Sequence, residues 1–309
     1  MLKNRFKGAL FGLACGDSVG AIAEWKPKEW LLQNPVTGMQ DNPTHGLKAG
    51  QFTDDTSMAL CLAQSLIDHD GTNQLDQMKK YSLWYMQGYM GCNNKCNGIG
   101  RTTRLSIEEF LKTGQYIAID TNPEKAGNGS IMRLAPLPMF YFQDFNSLIK
   151  NTIKSTRVTH GSYESIYAAV LFSIYMHRAL MGVSKQNILS PVHFLANDMN
   201  ITAGLQDIIF SEYLKKPYDE IKGTGYVIES LEAALWCFYN TDNYKDAVLM
   251  AANMGYDADT TAAIVGQLAG AHYGYDTIPE EWVAVLDMKH TIDSIIDSIY
   301  NTVSKRLIT

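Results

Sequence analysis

Apolar residues recur at helical spacing through almost the whole chain: Met58, Cys61, Leu62, Ser65 and Leu66 in one segment, and Ile166, Ala169, Val170, Ser173 and Ile174 in another. A 3.6-residue period lays one stripe of each segment against a core, and no segment shows the alternation of a half-buried strand. An all-α fold follows. Its helices are expected over 3-23, 55-68, 74-90, 101-113, 129-142, 146-157, 161-182, 200-215, 226-239, 243-253, 259-273 and 288-305. Gly and Pro gather in long connections at 25-52, 91-100, 121-129 and 216-225. None of these is polar or repetitive enough to be a flexible linker, so residues 1-309 are expected to form a single domain. Long connections inside a helical domain are where sites concentrate.

Composition narrows the function classes. With 46% apolar residues in 309, the chain can bury a large core. A net charge of -6 argues against a broad nucleic-acid surface, which needs a basic stripe to displace condensed counterions. The partner is expected to be a small molecule or another protein. Of the five cysteines, Cys15, Cys61 and Cys237 sit in apolar helical patterns, where cysteine behaves as a small hydrophobe; a reduced, cytoplasmic setting fits. Cys92 and Cys96 lack a second pair to complete a tetrahedral metal site, so they read as part of a loop. Lys3, Arg5 and Lys7 before the apolar run Gly8 to Cys15 resemble a signal peptide, but Asp17 interrupts the run. No uninterrupted apolar run approaches the roughly 20 residues of a membrane span.

Two acidic motifs stand where a loop runs into an apolar helix: Thr53-Asp54-Asp55-Thr56 and Asp257-Ala258-Asp259-Thr260. Read singly, each is an N-cap, because Asp and Thr accept hydrogen bonds from the free amides of a first helical turn. Read together, four carboxylates and the hydroxyls beside them are hard oxygen ligands suited to Mg²⁺, Mn²⁺ or Ca²⁺. If the two helix starts converge, the repulsion among their charges calls for cations. A third acidic feature lies in Gly16-Asp17-Ser18-Val19-Gly20-Ala21-Ile22-Ala23-Glu24. Here Asp17 reads as a buried, hydrogen-bonded polar residue, and Glu24 as either a surface charge or part of a site. The spacing of Gly266 and Gly270 reads as close packing of one helix against a neighbour.

The order of motifs resembles the ADP-ribosylglycohydrolase family. The matching pieces are GALFGLACGDSVGAIAE at 8-24, TDDTSMAL at 53-60, GIGRTTR at 98-104, GNGSIMRLAP at 127-136, THG at 159-161, SLEAALWCF at 230-238 and GYDADTTAAIVGQLAGAHYG at 255-274. The resemblance implies an orthogonal multi-helix bundle with two Mg²⁺ or Mn²⁺ ions at the base of a cleft. It implies Thr53, Asp54, Asp55, Asp257, Asp259 and Thr260 as metal ligands, and Glu24 and Asp55 as catalytic groups. For the substrate it implies ADP-ribose or an ADP-ribosylated acceptor, with contacts from Gly98, Gly100, Asn128, Gly129, Ser130, His160 and Tyr226. His160 is expected to touch the ligand without being the general base, and Tyr226 to stack on adenine. Met132 and Arg133 are expected to be structural. The reaction implied is hydrolysis at the anomeric carbon of the distal ribose, through an oxocarbenium-like state, by a protein expected to act as a monomer.

Two departures bear on specificity. Family members that release ADP-ribose from arginine often carry aspartate before the Ile-Gly of the 98-100 loop, where this chain has Gly98. Serine-linked, nucleic-acid-linked or free ADP-ribose derivatives therefore stand beside arginine as candidate substrates. Tyr256 replaces a glycine and is expected to narrow the cleft. Two other readings remain open at this level: a non-catalytic ADP-ribose-binding or structural member, and a di-metal phosphatase acting on nucleotides.

Overall fold

Gly8, Gly12, Gly16 and Gly20 recur every fourth residue and therefore line one face of the first helix. That face lies against an antiparallel partner. A Cβ on Gly8, Gly12, Gly16 or Gly20 would collide with the backbone carbonyls of Gly270, Gly266, Ala262 and Ala258 respectively, and one on Gly266 or Gly270 would collide in return. The two helices thus meet backbone to backbone, closer than any pair carrying side chains at the seam.

The computed structural model describes residues 1–196 and 201–306. In chain order the helices are α1 Leu2–Gly20, α2 Lys28–Gln33, α3 Asp54–Asp68, α4 Gln74–Gln87, α5 Arg101–Thr113, α6 Pro136–Phe140, α7 Phe145–Thr156 and α8 Tyr163–Leu180. There follow α9 Lys185–Ile188, α10 Ala203–Ile209, α11 Val227–Tyr239, α12 Tyr244–Ala252, α13 Ala258–Tyr273, α14 Glu280–Val285 and α15 Lys289–Arg306. Among the described residues the extended pairings are two isolated bridges, Asn42 with Leu47 and Gly127 with Tyr226. The all-α expectation is met.

The glycine-lined pair α1 and α13 forms the centre, and α12, α11, α8 and α3 pack around it. Both central helices are buried almost end to end. The hydroxyl of Tyr244 on α12 donates to the Gly12 carbonyl at 2.8 Å. Gln267 reaches from α13 to the segment before α6, accepting from the Ala135 amide at 2.7 Å and donating to the Met132 carbonyl at 2.7 Å.

Most long helices lie where the periodicity put them, and the differences have local causes. The expected helix at 129-142 is a 3-10 turn, Asn128–Ser130, followed by the five-residue α6. Pro136 and Pro138 deny it amide donors. The expected helix at 200-215, whose first residue lies outside the described residues, divides into α10 and a 3-10 turn Glu212–Lys215 at Ser211, which has φ +62°. Short α2, α9 and α14 are too brief to show a period. The N-terminal helix also corrects the reading of its apolar run. With the following turn it spans Leu2–Ala23, long and apolar enough to cross a membrane, yet its most apolar window is 89% buried inside the protein. Asp17 does not interrupt it, because its carboxylate finds partners within the fold.

Candidate active site

The antiparallel packing of α1 on α13 brings the end of the first helix to the start of the last of the pair, with Gly20 against Ala258 and Asp259. Asp17 and Glu24 therefore arrive beside Asp257 and Asp259. The start of α3 joins them through Asp17, which accepts the Thr53 amide at 2.9 Å and hydroxyl at 2.8 Å, and the Thr56 amide at 3.0 Å and hydroxyl at 2.6 Å. Neither Thr53 nor Asp257 caps its own helix with its side chain. The capping reading of the two acidic motifs is thus set aside: α3 is capped from α1, and Asp54 and Asp55 are free to turn inward.

Asp17, Asp55 and Asp259 place carboxylate oxygens within 4.8 Å of one another, and so do Glu24, Asp257 and Asp259. Asp259 belongs to both groups. Since both oxygens of Asp17 already accept from Thr53 and Thr56, Asp55 and Asp259 supply the free donors of the first group. Asp55 Oδ1 and Glu24 Oε2 are buried without a hydrogen-bond partner. Among the described residues, none of the five aspartates pairs with a lysine or arginine. Orphaned oxygens in an uncompensated acidic nest are what hard divalent cations satisfy, so the residues present fit that cofactor.

The electrostatics carry the same mark. Burial, then the charges of Asp257 and Asp54, push Glu24 up to about 8. Burial, then Asp17 and Asp257, push Asp54 up to about 7. Burial likewise raises Asp55 and Asp259 well above the ordinary carboxyl range, with like charges adding to it. For Asp17 burial is opposed by the donors of Thr56 and Thr53, and for Asp257 by the Asn128 amide.

Above these carboxylates opens a cleft of about 470 Å³, within the range of small-ligand sites. Glu24, Asp54, Asp257, Asp259 and Thr260 line its acidic part; Gly98, Gly100, Asn128, Gly129, His160 and Tyr226 line the remainder. Three sequence-predicted residues lie off the cleft surface. Thr53 and Asp55 are buried beneath it, with Thr53 Oγ1, whose proton goes to Asp17, 3.1 Å from Asp55 Oδ2. Ser130 is buried behind its loop, its hydroxyl directed to the Ser165 carbonyl over 3.4 Å.

Asn128 is committed to the protein: its side-chain amide donates to Asp257 Oδ2 at 2.6 Å and to Ser230 Oγ at 3.2 Å. Gly98 has φ +68°, and a Cβ there would lie 2.7 Å from Asp54 Oδ1. Glycine is therefore required at this position by its backbone and by the Asp54 carboxylate together.

His160 closes the other side. The buried Arg133 guanidinium donates to Thr159 Oγ1 at 2.6 Å, and Thr159 Oγ1 is 2.8 Å from His160 Nδ1. Arginine only donates, so Thr159 Oγ1 accepts from Arg133, and the Nε2 side of the His160 ring faces the Gly127 and Gly129 loop. Burial, then Arg133, lowers His160 to about 3 and holds it neutral. Arg133, stacked 4.6 Å from the Tyr81 ring centre, has the structural role expected of it.

Sequence reasoning missed His45, whose Nε2 lies 2.8 Å from Glu24 Oε2, without the orientation of a hydrogen bond. It sits in a long loop with no motif around it. Tyr256 does not narrow the cleft: it stands outside the lining, half exposed. Cys92 and Cys96 form a loop as expected, and all five cysteines are free.

Comparison with known proteins agrees with this geometry. The family model described as ADP-ribosylglycohydrolase matches residues 1–307. The ADP-ribosylarginine hydrolase Tri1 of Serratia proteamaculans is 37% identical over 297 residues, covering 96% of this chain and 79% of the relative. The ADP-ribosyl-[dinitrogen reductase] glycohydrolase of Rhodospirillum rubrum is 30% identical over 290 residues, covering 93% and 91%. A solved structure titled ADP-ribosylglycohydrolase-related protein complex superimposes with a TM-score of 0.85 at 33% identity, covering 97% of this chain and 98% of that one. By sequence over nearly its whole length and by fold, the chain belongs to the ADP-ribosylglycohydrolase family.

Proposed function

We propose that this protein hydrolyses the glycosidic bond between ADP-ribose and an arginine side chain of a modified protein, using two divalent cations, Mg²⁺ or Mn²⁺. The observation that carries the reading is the pair of carboxylate groups sharing Asp259 at the floor of the cleft. The arginine linkage is favoured by the 37% identity to a relative named ADP-ribosylarginine hydrolase, and it outweighs the missing aspartate at Gly98.

Asp54, Asp55, Asp257 and Asp259, with Thr53 and Thr260, would hold the ions. Bound there, the ions supply positive charge that orients the ribose hydroxyls and lowers the pKa of a water. Asn128 keeps Asp257 aimed, and Asp17 fixes the start of α3. Glu24 Oε2, at the cleft wall 2.8 Å from His45 Nε2, takes the proton of the attacking water. As that oxygen bonds to the anomeric carbon, the bond to the acceptor nitrogen breaks; its electron pair stays on the guanidine, which then takes up a proton. The amides of Gly98, Ile99 and Gly129 and the ring of His160 face the ribose and pyrophosphate, and Tyr226 stacks on adenine. The five free cysteines suit a cytoplasmic setting, and every residue assigned a role here comes from one copy of the chain, as suits a monomer.

The test is release of ADP-ribose from arginine-linked, serine-linked and nucleic-acid-linked conjugates, with and without Mg²⁺ or Mn²⁺. Metal-dependent release from the arginine conjugate is expected. Binding of ADP-ribose with no release from any conjugate would instead make the protein a non-catalytic binder, and release of inorganic phosphate would make it a phosphatase.

A further inference from the structure

Two aromatic residues far apart in sequence hold the left-handed conformation side by side. Trp25 has φ +63° and Tyr256 has φ +55°, values that side-chain-bearing residues rarely adopt. Their backbones are clasped: the Trp25 amide donates to the Tyr256 carbonyl at 2.6 Å, and the Tyr256 amide donates to the Lys26 carbonyl at 2.8 Å. The clasp joins the residue after Glu24 to the residue before Asp257. Packing does not account for the strain, because Trp25 is 72% exposed and Tyr256 44%. Unusual backbone at a site mouth, with large apolar side chains held in water, points to function.

Resting on the reading above, we propose that Trp25 is the acceptor platform, a surface on which the guanidinium of the modified arginine stacks beside Glu24, with Tyr256 locking it in place. The placement follows from the cleft. Its far wall, with Gly127, Gly129, His160 and Tyr226, takes the nucleotide, and the carboxylates hold the reacting ribose. The leaving group must then face the remaining rim, where Trp25 lines the cleft next to Glu24. An exposed indole beside a cluster of carboxylates attracts a planar, delocalised cation; a serine side chain has no charge to bring to it. Arg101 lines the same cleft, but the indole itself carries no cation of the protein. Lys26 lies over the Trp30 ring at 5.5 Å, Lys28 lies over Tyr218, and among the described residues no lysine or arginine sits over Trp25.

The experiment compares wild type, Trp25→Ala and Trp25→Phe in the full chain with Mg²⁺. The substrates are ADP-ribosylated agmatine and O-acetyl-ADP-ribose, and calorimetry reports binding of ADP-ribose and of agmatine to the ADP-ribose-loaded protein. Trp25→Ala is expected to lower the ratio of kcat/KM for the guanidine substrate over the acetyl ester about tenfold, acting through KM, with Trp25→Phe recovering most of it. An unchanged ratio, or an equal loss of ADP-ribose affinity, would overturn the platform. If wild type fails to cleave the guanidine substrate, the functional reading fails by itself, and agmatine binding still decides the inference. Binding that is lost in Trp25→Ala upholds it; binding equal in both proteins, or absent from both, overturns it.

Discussion

Asp17 caps a helix to which it does not belong: from inside α1 it accepts the amide of Thr56 at 3.0 Å and its hydroxyl at 2.6 Å, in the first turn of α3. With the two bonds from Thr53 this single buried carboxylate ties three elements of the site together, since α1 is itself locked to α13 through the glycine seam. Positions usually filled by a helix's own Thr or Asp are left to a neighbour, and the local Asp54 and Asp55 are released to face the cleft.

Asp17→Ala should therefore damage both stability and the site. It strands two buried amides and two hydroxyls, and unsatisfied buried groups cost about 1–3 kcal/mol each. A loss of roughly 3 kcal/mol or more is expected in chemical denaturation, with Mg²⁺ or Mn²⁺ affinity weakened about tenfold or more, as when the partner of a ligand is removed. A variant that melts with wild type and binds cations equally well would show that the cap does not organise α3.

The seam makes a sharper prediction about size than about polarity. Gly12→Ala adds one methyl group where the Gly266 carbonyl already lies, so the helices must separate along their length. Overpacking a tight core costs about 1–3 kcal/mol and occasionally more, and backbone on both sides puts this case at or above the upper end. Gly100→Ala is the control, because open space surrounds that position and its φ is -64°. Thermal melting should separate the two variants clearly; equal melting temperatures would mean that the seam gives way easily.

How legible the site was in sequence depends on the range of the interactions that build it. Helices such as α8 and α13 announce themselves by a period repeated over several turns, and Asp54, Asp55, Asp257 and Asp259 stand out as acidic pairs at helix starts. Their convergence was not in the local pattern. It comes from the register of Gly8, Gly12, Gly16 and Gly20 against α13, and residues 8 and 270 carry no local sign of each other. His45 was invisible for the same reason, lying in a loop whose course is set by contacts such as Asn42 to the Ala21 carbonyl at 2.5 Å. Asn128 and Ser130 read alike from sequence as ligand contacts, yet the fold turns one to Asp257 and the other to a helix carbonyl.

The raised carboxyls set the sign of the pH response. Glu24 near 8 and Asp54 near 7 lie above their ordinary values of about 4, so without cations the folded state binds more protons than the unfolded one between those limits. Stability of the metal-free protein is then fully present below about pH 4 as far as these groups are concerned, and is lost as pH rises through 7 to 8. Excess divalent cations should flatten the slope, because they hold these carboxylates ionised in the folded state as they already are in the unfolded one. Melting from pH 5 to 8 in EDTA and in excess Mg²⁺ reads both curves. Parallel curves would remove the acidic cluster as the metal site.

Glu24→Gln separates binding from chemistry. The side chain keeps its volume and loses the ability to take a proton, so turnover should fall at least about a hundredfold, the usual scale for a general base. Affinity for ADP-ribose, measured by calorimetry with Mg²⁺ present, should stay within a few-fold of wild type. Turnover at the wild-type rate would remove Glu24 from the proton transfer and shift attention to Asp55.

Asp259 is the most exacting position, because its carboxylate is the one shared by both groups at the cleft floor. Asp259→Asn keeps the shape and the hydrogen bond from the Thr260 amide, 2.8 Å in the native protein, while removing the charge common to the two ion positions. The folded protein should survive, and in the metal-free state at neutral pH it should be more stable than wild type, since one member of a mutually repelling set is gone. Cation binding should fall in both stoichiometry and affinity, and hydrolysis with it. A substitution at a site held together only by packing would instead lower stability and leave cation binding alone. The combination of raised metal-free stability with lost cation binding is therefore the signature that distinguishes a ligand from a buried structural acid, and titration calorimetry alongside melting in EDTA measures both.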